Sequence, residues 1–184
     1  MLNHKGTKTI ETERLILRPF VMEDAQAMFR NWASDDEVTK HLTWPTHESA
    51  AVSRMVLSDW TGHYPETNFY NWAIVWKENG PEPIGNIAVC RINENVDCAT
   101  MGYCMSRNHW GKGIMAEALS AVIAFLFDQV GFNRIEAEHD VNNPNSGRVM
   151  EKAGIRHEGV MRQAGRNNQG IIDVSWWAIL KCDR

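Results

Sequence analysis

Two glycines flank a lysine directly before an apolar, helix-like run, in the stretch Trp110–Met115 of this 184-residue chain. The first backbone N–H groups of a helix have no internal partner and carry partial positive charge, so a helix start readily binds anions. Gly111 and Gly113 would let an anion approach the backbone, and Lys112 would add a cation. On spacing alone, an ordinary turn and helix cap explains the two glycines equally well.

The glycine stretch fits neither of two common nucleotide-binding loops. A P-loop requires GxxxxGK[ST], but Lys112 is followed by Gly113 and not by a hydroxyl that could bind magnesium. The dinucleotide fingerprint GxGxxG requires a third glycine, and Ala116 takes that position. Both nucleotide motifs are therefore excluded.

A second group of polar side chains follows the segment 134–139, which alternates like a short strand. Asn143 and Ser146 have the spacing NxxS, and both residue types commonly cap helix starts, so capping is one interpretation of Ser146. Glu136 and Glu138 lie on one face of the predicted strand and could simply share a solvated side. Asp140 is a further acid–base candidate.

Composition excludes several classes of protein. The net charge of −4 and the absence of a Lys/Arg run argue against nucleic-acid binding. No apolar run reaches the roughly 18 residues that span a bilayer, and the N-terminal segment lacks the apolar centre of a signal peptide. Four cysteines without CxxC spacing predict buried free thiols in a cytoplasmic protein, and seven histidines without HExxH spacing predict no metal site.

Hydrophobic periodicity predicts a mixed α/β fold with the element order β-α-α-β-β-β-α-β-α-β-β. A long apolar helix should follow the glycine stretch and end at Gly131, a residue type that often terminates helices. The predicted strands are 13–20, 70–76, 84–92, 98–106, 134–139, 159–162 and 171–180. The predicted helices begin near 23, 48, 114 and 145.

This order of elements resembles the GCN5-related N-acetyltransferase (GNAT) superfamily, whose pyrophosphate loop reads Q/R-x-x-G-x-G/A. The loop falls on Trp110–Met115 with Gly113 as the central glycine, although Trp110 replaces Gln/Arg and Met115 replaces Gly/Ala. The chain is more closely similar to the branch of ribosomal-protein alanine and serine N-acetyltransferases. The segments that carry this likeness are TERLILRPF, LTWP, WGKGIMAEAL, NNPNSGRVMEKAGI, HEGVMRQ and GIIDVSWWAIL.

The resemblance implies a single GNAT domain over residues 1–184, with a mixed, mostly antiparallel sheet of about seven strands flanked by about four helices. It also implies acetyl-CoA as the co-substrate, without a metal, and homodimers are common in that branch. Met105 would donate its N–H to the thioester oxygen, and Ser146 would protonate the departing thiolate. The implied cofactor contacts are Tyr103, Cys104, Met105, Trp110, Gly111, Lys112, Gly113, Ile114, Met115 and Asn143.

The acceptor half of the site departs from the branch. A Glu that can follow Gln-Ala in the branch is replaced by Gly165, so no general base is assigned there. Replacement bases include Glu136, Glu138, Asp140, His41 and His47. The residues predicted to line the acceptor cleft are His41, Trp44, Trp72, Arg91 and Asp173, although core packing is the alternative role of the tryptophans and a structural role is the alternative for Asp173.

The predicted acceptor is a protein N-terminal α-amine or a small amine. An α-amine with a pKa near 8 needs only about 1.4 kcal/mol to become neutral at pH 7, whereas a lysine amine needs roughly 4.6 kcal/mol. Two other functions stay open at this point. One is an acyl-CoA-binding sensor without catalysis, and the other is an antibiotic or polyamine N-acetyltransferase.

Overall fold

A computed structural model describes residues 2–184 and contains an eight-stranded sheet with the strand order β1-β2-β3-β4-β5-β6-β8-β7. The strands are β1 Ile10–Glu11, β2 Leu15–Arg18, β3 Asn71–Trp76, β4 Pro83–Asn93, β5 Cys98–Met105, β6 Arg134–Asp140, β7 Arg156–Asn167 and β8 Gly170–Leu180. The helices are α1 Ala25–Met28, α2 Asp36–Thr39, α3 Ala50–His63, α4 Ile114–Phe125 and α5 Pro144–Lys152.

Helices cover both faces of the sheet. The apolar helix α4 packs on one face, where Leu119 and Val122 are fully buried against Leu17 and Ile87. On the other face, Met28 and Trp32 pack beside Leu57 of α3. The sequence predicted this arrangement because each helix carries its apolar residues at helical spacing.

The predicted long helix is confirmed. It begins at Ile114, passes into a π-helical turn at Leu126–Val130 and ends at Gly131, whose φ of 97° suits glycine alone. The glycine stretch therefore lies at the start of a helix, as its chemistry requires.

The fold is the mixed and mostly antiparallel one that was predicted, but residues 2–184 form eight strands and five α-helices instead of about seven and four. The additional strand β1 has two residues and the additional helix α2 has four, so neither is long enough to show a hydrophobic period. Strand β7 is longer than predicted because bulges interrupt its pairing with β8 and its residues are mostly exposed.

The prediction of buried cysteines holds for two of the four. Cys98 and Cys104 are buried, whereas Cys90 and Cys182 are exposed, and all four are free thiols. Cys90 lies where the β4–β5 register shifts, and Cys182 lies in the turn after β8, so neither side chain faces a core. Within residues 2–184 no helix combines the length and the apolar character that a bilayer crossing requires.

Candidate active site

The sheet opens between its two parallel strands. Strands β5 and β6 pair only from Cys98 to Met101 and from Arg134 to Ala137, after which they separate. Ser106 donates its N–H to Ile84 of β4 at 2.8 Å. Because backbone direction alternates along a strand, the N–H and C=O groups of Met105 and Tyr103 point away from β4 and into the opening. An unpaired strand edge faces this gap.

Because of the same alternation, the backbone groups of Cys104 do not lie on the open edge of β5, although Cys104 was predicted to contact the cofactor. Cys104 is in register with Asn86 of β4, and its backbone groups point toward that strand. Its side chain packs on the opposite face of the sheet, where the thiol donates to Asn86 Oδ1 at 2.9 Å. Burial raises the pKa of the Cys104 thiol to about 12, so it stays protonated.

The glycine loop presents free backbone N–H groups beside this opening. Gly111 and Gly113 have φ angles of 77° and 75°, a left-handed conformation that side chains disfavour. Gly113 is the N-cap of α4, and no side chain caps the helix there. Across residues 2–184, none of the N–H groups of 111–116 has a hydrogen-bond acceptor. The loop can therefore donate several hydrogen bonds to one anion.

Arg14 fixes the shape of the loop from a distant part of the sequence. Its Nη1 donates to the carbonyl of Lys112 at 3.0 Å, and its Nη2 lies 2.6 Å from Glu117 Oε2. Thr12 also donates to Glu117, at 2.5 Å. Burial raises the pKa of Glu117, but the hydrogen bonds from Thr12 and Arg14 outweigh burial and lower it. Arg14 could not be recognised from the sequence, because 98 residues separate it from Lys112.

The two departures from the family loop have structural reasons. The Trp110 indole donates to the outward-facing carbonyl of Met105 at 2.9 Å, so the ring joins the loop to the open edge of β5. Met115 is 4% exposed and packs in the core, which leaves only its backbone at the loop. Lys112 Nζ lies 5.1 Å from the centre of the Trp76 ring, a cation–π contact that holds its charge near the loop.

Ser146 lies on the other side of the opening. It is the third residue of α5 and does not cap the helix, so the capping interpretation is wrong. Its Oγ lies 3.0 Å from the hydroxyl of Tyr103, and its carbonyl accepts from the same hydroxyl at 3.1 Å. Burial raises the pKa of Tyr103, which keeps the phenol neutral. Asn143 takes the N-cap position, but its side chain makes no cap bond.

A buried carboxylate ends strand β6 at the same opening. Asp140 accepts hydrogen bonds from His41 Nδ1 at 3.0 Å, from Asn167 Nδ2 at 2.8 Å and from Asn142 N–H at 2.9 Å. Burial raises the pKa of Asp140, but these hydrogen bonds outweigh burial and hold it below its usual value. Asn168 donates to the carbonyl of Trp44 at 2.8 Å. This bond joins the β7–β8 turn to the loop between α2 and α3, which also contains His41.

Two of the residues predicted to line an acceptor cleft have other positions. Trp72 is fully buried on the α4 face of β3, and its indole donates to the carbonyl of Lys8 at 2.7 Å, so it belongs to the core. Asp173 accepts from the N–H of Gln163 at 2.8 Å and so holds a bulge of β7.

Arg91 lies 3.7 Å from Glu138, on the sheet face opposite α4. The predicted shared face of Glu136 and Glu138 is confirmed.

The chain belongs to the GNAT acetyltransferase family, because a family model described as an acetyltransferase (GNAT) domain matches residues 14–156. It is therefore an N-acetyltransferase, as the resemblance implied. Among residues 2–184, no group of three or more His, Cys, Asp or Glu side chains could hold a metal ion.

Curated relatives agree with this assignment, and a solved structure shares the fold. The chain is 32% identical to the uncharacterized N-acetyltransferase p20 of Bacillus licheniformis, over 95% of this chain and 97% of that protein. It is also 32% identical to the ribosomal-protein-serine acetyltransferase of Escherichia coli, over 57% of this chain and 58% of that one. The microcin C7 self-immunity acetyltransferase MccE, solved in complex with acetyl-CoA and AMP, has the same fold. Its TM-score is 0.82 at 19% identity, covering 92% of this chain and 93% of that one.

Gly165 has a packing reason that makes a glutamate at this position unfavourable. A Cβ added to Gly165 would lie 2.7 Å from Cγ2 of Val174, a buried and β-branched side chain that cannot rotate away easily. We expect Gly165→Glu to lower the free energy of unfolding by about 1–3 kcal/mol, without raising turnover. Urea denaturation measures the change.

The matched control is the adjacent exposed position, Ala164→Glu, which should unfold at nearly the wild-type urea concentration. Wild-type stability of Gly165→Glu together with faster turnover would contradict this interpretation of the glycine.

Proposed function

We propose that this N-acetyltransferase uses acetyl-CoA and transfers the acetyl group directly to a primary amine, either a protein N-terminal α-amine or a small amine. One observation carries the proposal. The free N–H groups of residues 111–116 lie next to the open edge formed by Tyr103 and Met105. Acetyl-CoA has matching parts, since a pyrophosphate adjoins a peptide-like pantetheine arm.

The residues at the opening fit each part of this co-substrate. The N–H groups from Gly111 to Met115 would bind the pyrophosphate. The pantetheine arm would add to the edge of β5 as a further strand, with Asn143 on its other side. The carbonyl of Met105 already accepts from Trp110, but its N–H is free to stabilise negative charge developing on the thioester oxygen. Ser146 would supply a proton to the leaving sulfur.

We propose that the acceptor approaches past α2, where the charges favour a cationic amine. A cavity of about 670 Å³ between α2 and the β7–β8 turn is lined by Asp36, Glu37 and Glu48 and by only one cation, Lys40. This excess of carboxylates would attract a protonated amine or a peptide that carries one. The relative from Escherichia coli is named for a ribosomal-protein serine, which supports a protein N-terminus as the acceptor class.

An acceptor panel tests the proposal. The purified chain is incubated with acetyl-CoA and with N-terminal peptides, polyamines or aminoglycosides, while thiol release and acetylated products are measured. We expect turnover with peptides or simple amines. Faster turnover of polyamines or aminoglycosides would move the assignment to that class of substrate. Tight acetyl-CoA binding without turnover across the panel would favour a sensor without catalysis, which would agree with Gly165 at the position where the branch can carry a glutamate.

Arg14 provides a test of how the loop is held. We expect Arg14→Gln to weaken acetyl-CoA binding about three- to tenfold, because the carbonyl of Lys112 loses its donor and Glu117 would repel the phosphates. Calorimetric titration of acetyl-CoA measures the effect. Arg30→Gln is the matched control, since Arg30 pairs with Glu82 on the surface and should leave affinity unchanged.

Domain organisation, cellular location and oligomeric state are also part of this proposal. We propose one GNAT domain over the chain, a cytoplasmic location and a homodimer, with the exposed Val160, Met161 and Ile171 of the last two strands as a candidate contact surface. Light scattering coupled to size-exclusion chromatography measures the oligomeric state, and a monomer at micromolar concentration would contradict the dimer.

A further inference from the structure

His41 and Asp140 form a carboxylate–imidazole pair at the place where β5 and β6 have separated. Asp140 lies three residues beyond Ala137, the last residue of β6 that pairs with β5, and Met105 lies four residues beyond Met101 on β5. Asp140 and Met105 therefore lie on opposite sides of the gap between β6 and β5. His41 follows α2 and reaches Asp140 from the face of the sheet opposite α4.

Hydrogen bonding determines which nitrogen of His41 carries the proton. The Asp140 side chain is 1% exposed and its oxygens accept three hydrogen bonds, so it is an ionised, acceptor-only group. His41 Nδ1 must therefore be the donor to Asp140, which leaves Nε2 of the neutral ring unprotonated. Within residues 2–184, Nε2 has no partner and is not among the buried unpaired atoms, so it is open to solvent.

The same contacts make Asp140 itself a poor base. Its oxygens are occupied and inaccessible, so an acceptor amine could reach it only by breaking the existing hydrogen bonds. The side chain of His41 is 20% exposed and presents a free lone pair. Asn167 donates to the same carboxylate oxygen and holds Asp140 in place from the end of β7. The arrangement separates an accessible base from a buried residue that orients it.

We propose that His41 is the general base of the acetyl transfer and that Asp140 and Asn167 position it. This inference rests on the proposed function, since it needs a protonated amine acceptor at the same opening. It also accounts for the replacement at Gly165, because the base then comes from the loop after α2 and not from β7.

The proton and electron balance of the step is simple. His41 Nε2 takes one proton from the acceptor ammonium, directly or through one water, and later releases it to solvent. The neutral nitrogen then attacks the thioester carbon, so that a C–N bond forms and the C–S bond breaks. The nitrogen loses a second proton to Ser146 Oγ, directly or through one water, while Ser146 gives its own hydroxyl proton to the leaving sulfur, so the serine ends unchanged. One proton stays on the amide product.

His41→Asn tests the inference because the Asn side-chain nitrogen can still donate to Asp140 while the base is lost. At pH 7 we expect turnover to fall about tenfold, because only about a tenth of an amine with a pKa near 8 is neutral there, with unchanged affinity for acetyl-CoA. With an acceptor whose amine pKa is near 8, the deficit should shrink to a few-fold at pH 9.5, because the amine is already neutral. The titratable groups beside His41 are Asp140 and His139 of β6, while the end of β7 contributes the uncharged Asn167.

Three further variants make the test decisive. His63→Asn, at an exposed histidine at the end of α3, should keep wild-type turnover. Imidazole added to His41→Ala should restore part of the activity. If Glu138→Gln shows the pH-dependent loss and His41→Asn does not, the base is Glu138 and the inference is overturned. Wild-type protein without turnover on any acceptor would instead contradict the proposed function.

Discussion

Gly113→Val is expected to weaken acetyl-CoA binding at least tenfold, or about 1.4 kcal/mol. Gly113 has a φ of 75°, a conformation that a β-branched residue adopts only with strain of about 1–3 kcal/mol. A relaxed valine backbone would turn the N–H groups of the loop away from a common point, and the added methyl groups would occupy the anion's position. Calorimetric titration of acetyl-CoA with the folded variant measures the change.

Gly131→Val is the matched control for backbone strain. Gly131 ends the same helical segment with a φ of 97°, and no atom lies within 4 Å of its added Cβ. It is about 25 Å from the glycine loop along the helix axis. We expect this variant to lose stability while it keeps its affinity for acetyl-CoA. Unchanged affinity of folded Gly113→Val would remove the loop from the binding site.

Ser146→Ala is expected to lower turnover about 100-fold, with little change in the affinity for acetyl-CoA. The hydroxyl of Ser146 is hydrogen-bonded to the neutral phenol of Tyr103 at 3.0 Å, and this pair faces the opening. Loss of the hydroxyl removes the proposed proton donor for the departing thiolate. Single-turnover kinetics with saturating acetyl-CoA separates this chemical defect from a binding defect.

Ser120→Ala is the control for the loss of a serine hydroxyl from a helix. Its Oγ bonds only to the carbonyl of Ala116, one turn earlier in α4, so the variant should turn over at the wild-type rate. A normal rate for Ser146→Ala would assign Ser146 to a structural link between β5 and α5.

The sequence predicted those parts of the fold that have a long and regular hydrophobic pattern. The helix that starts at Ile114 and ends at Gly131 was found from its apolar run and its terminal glycine. The glycine loop could be placed at the start of this helix for the same reason. Short elements such as β1 and α2 have too few residues to show a period and were missed.

Contacts between distant residues could not be read from local pattern. Arg14 reaches the loop and His41 reaches Asp140 across about 100 residues, and each pair exists only because the sheet brings its two segments together. The orientation of Cys104 depended on the register between β4 and β5, which the sequence does not determine. Trp72 was a cleft candidate because a tryptophan in a central strand and one in a cleft look alike in sequence.

Direct transfer requires that acetyl-CoA, bound at the loop and the open edge of β5, and the acceptor amine occupy the site together. Initial-rate measurements with acetyl-CoA and the best acceptor of the panel, both varied, test it most directly. Intersecting double-reciprocal lines are expected, because both substrates must be bound together before the C–S bond breaks. Parallel lines would indicate an acyl-enzyme intermediate and would contradict direct transfer.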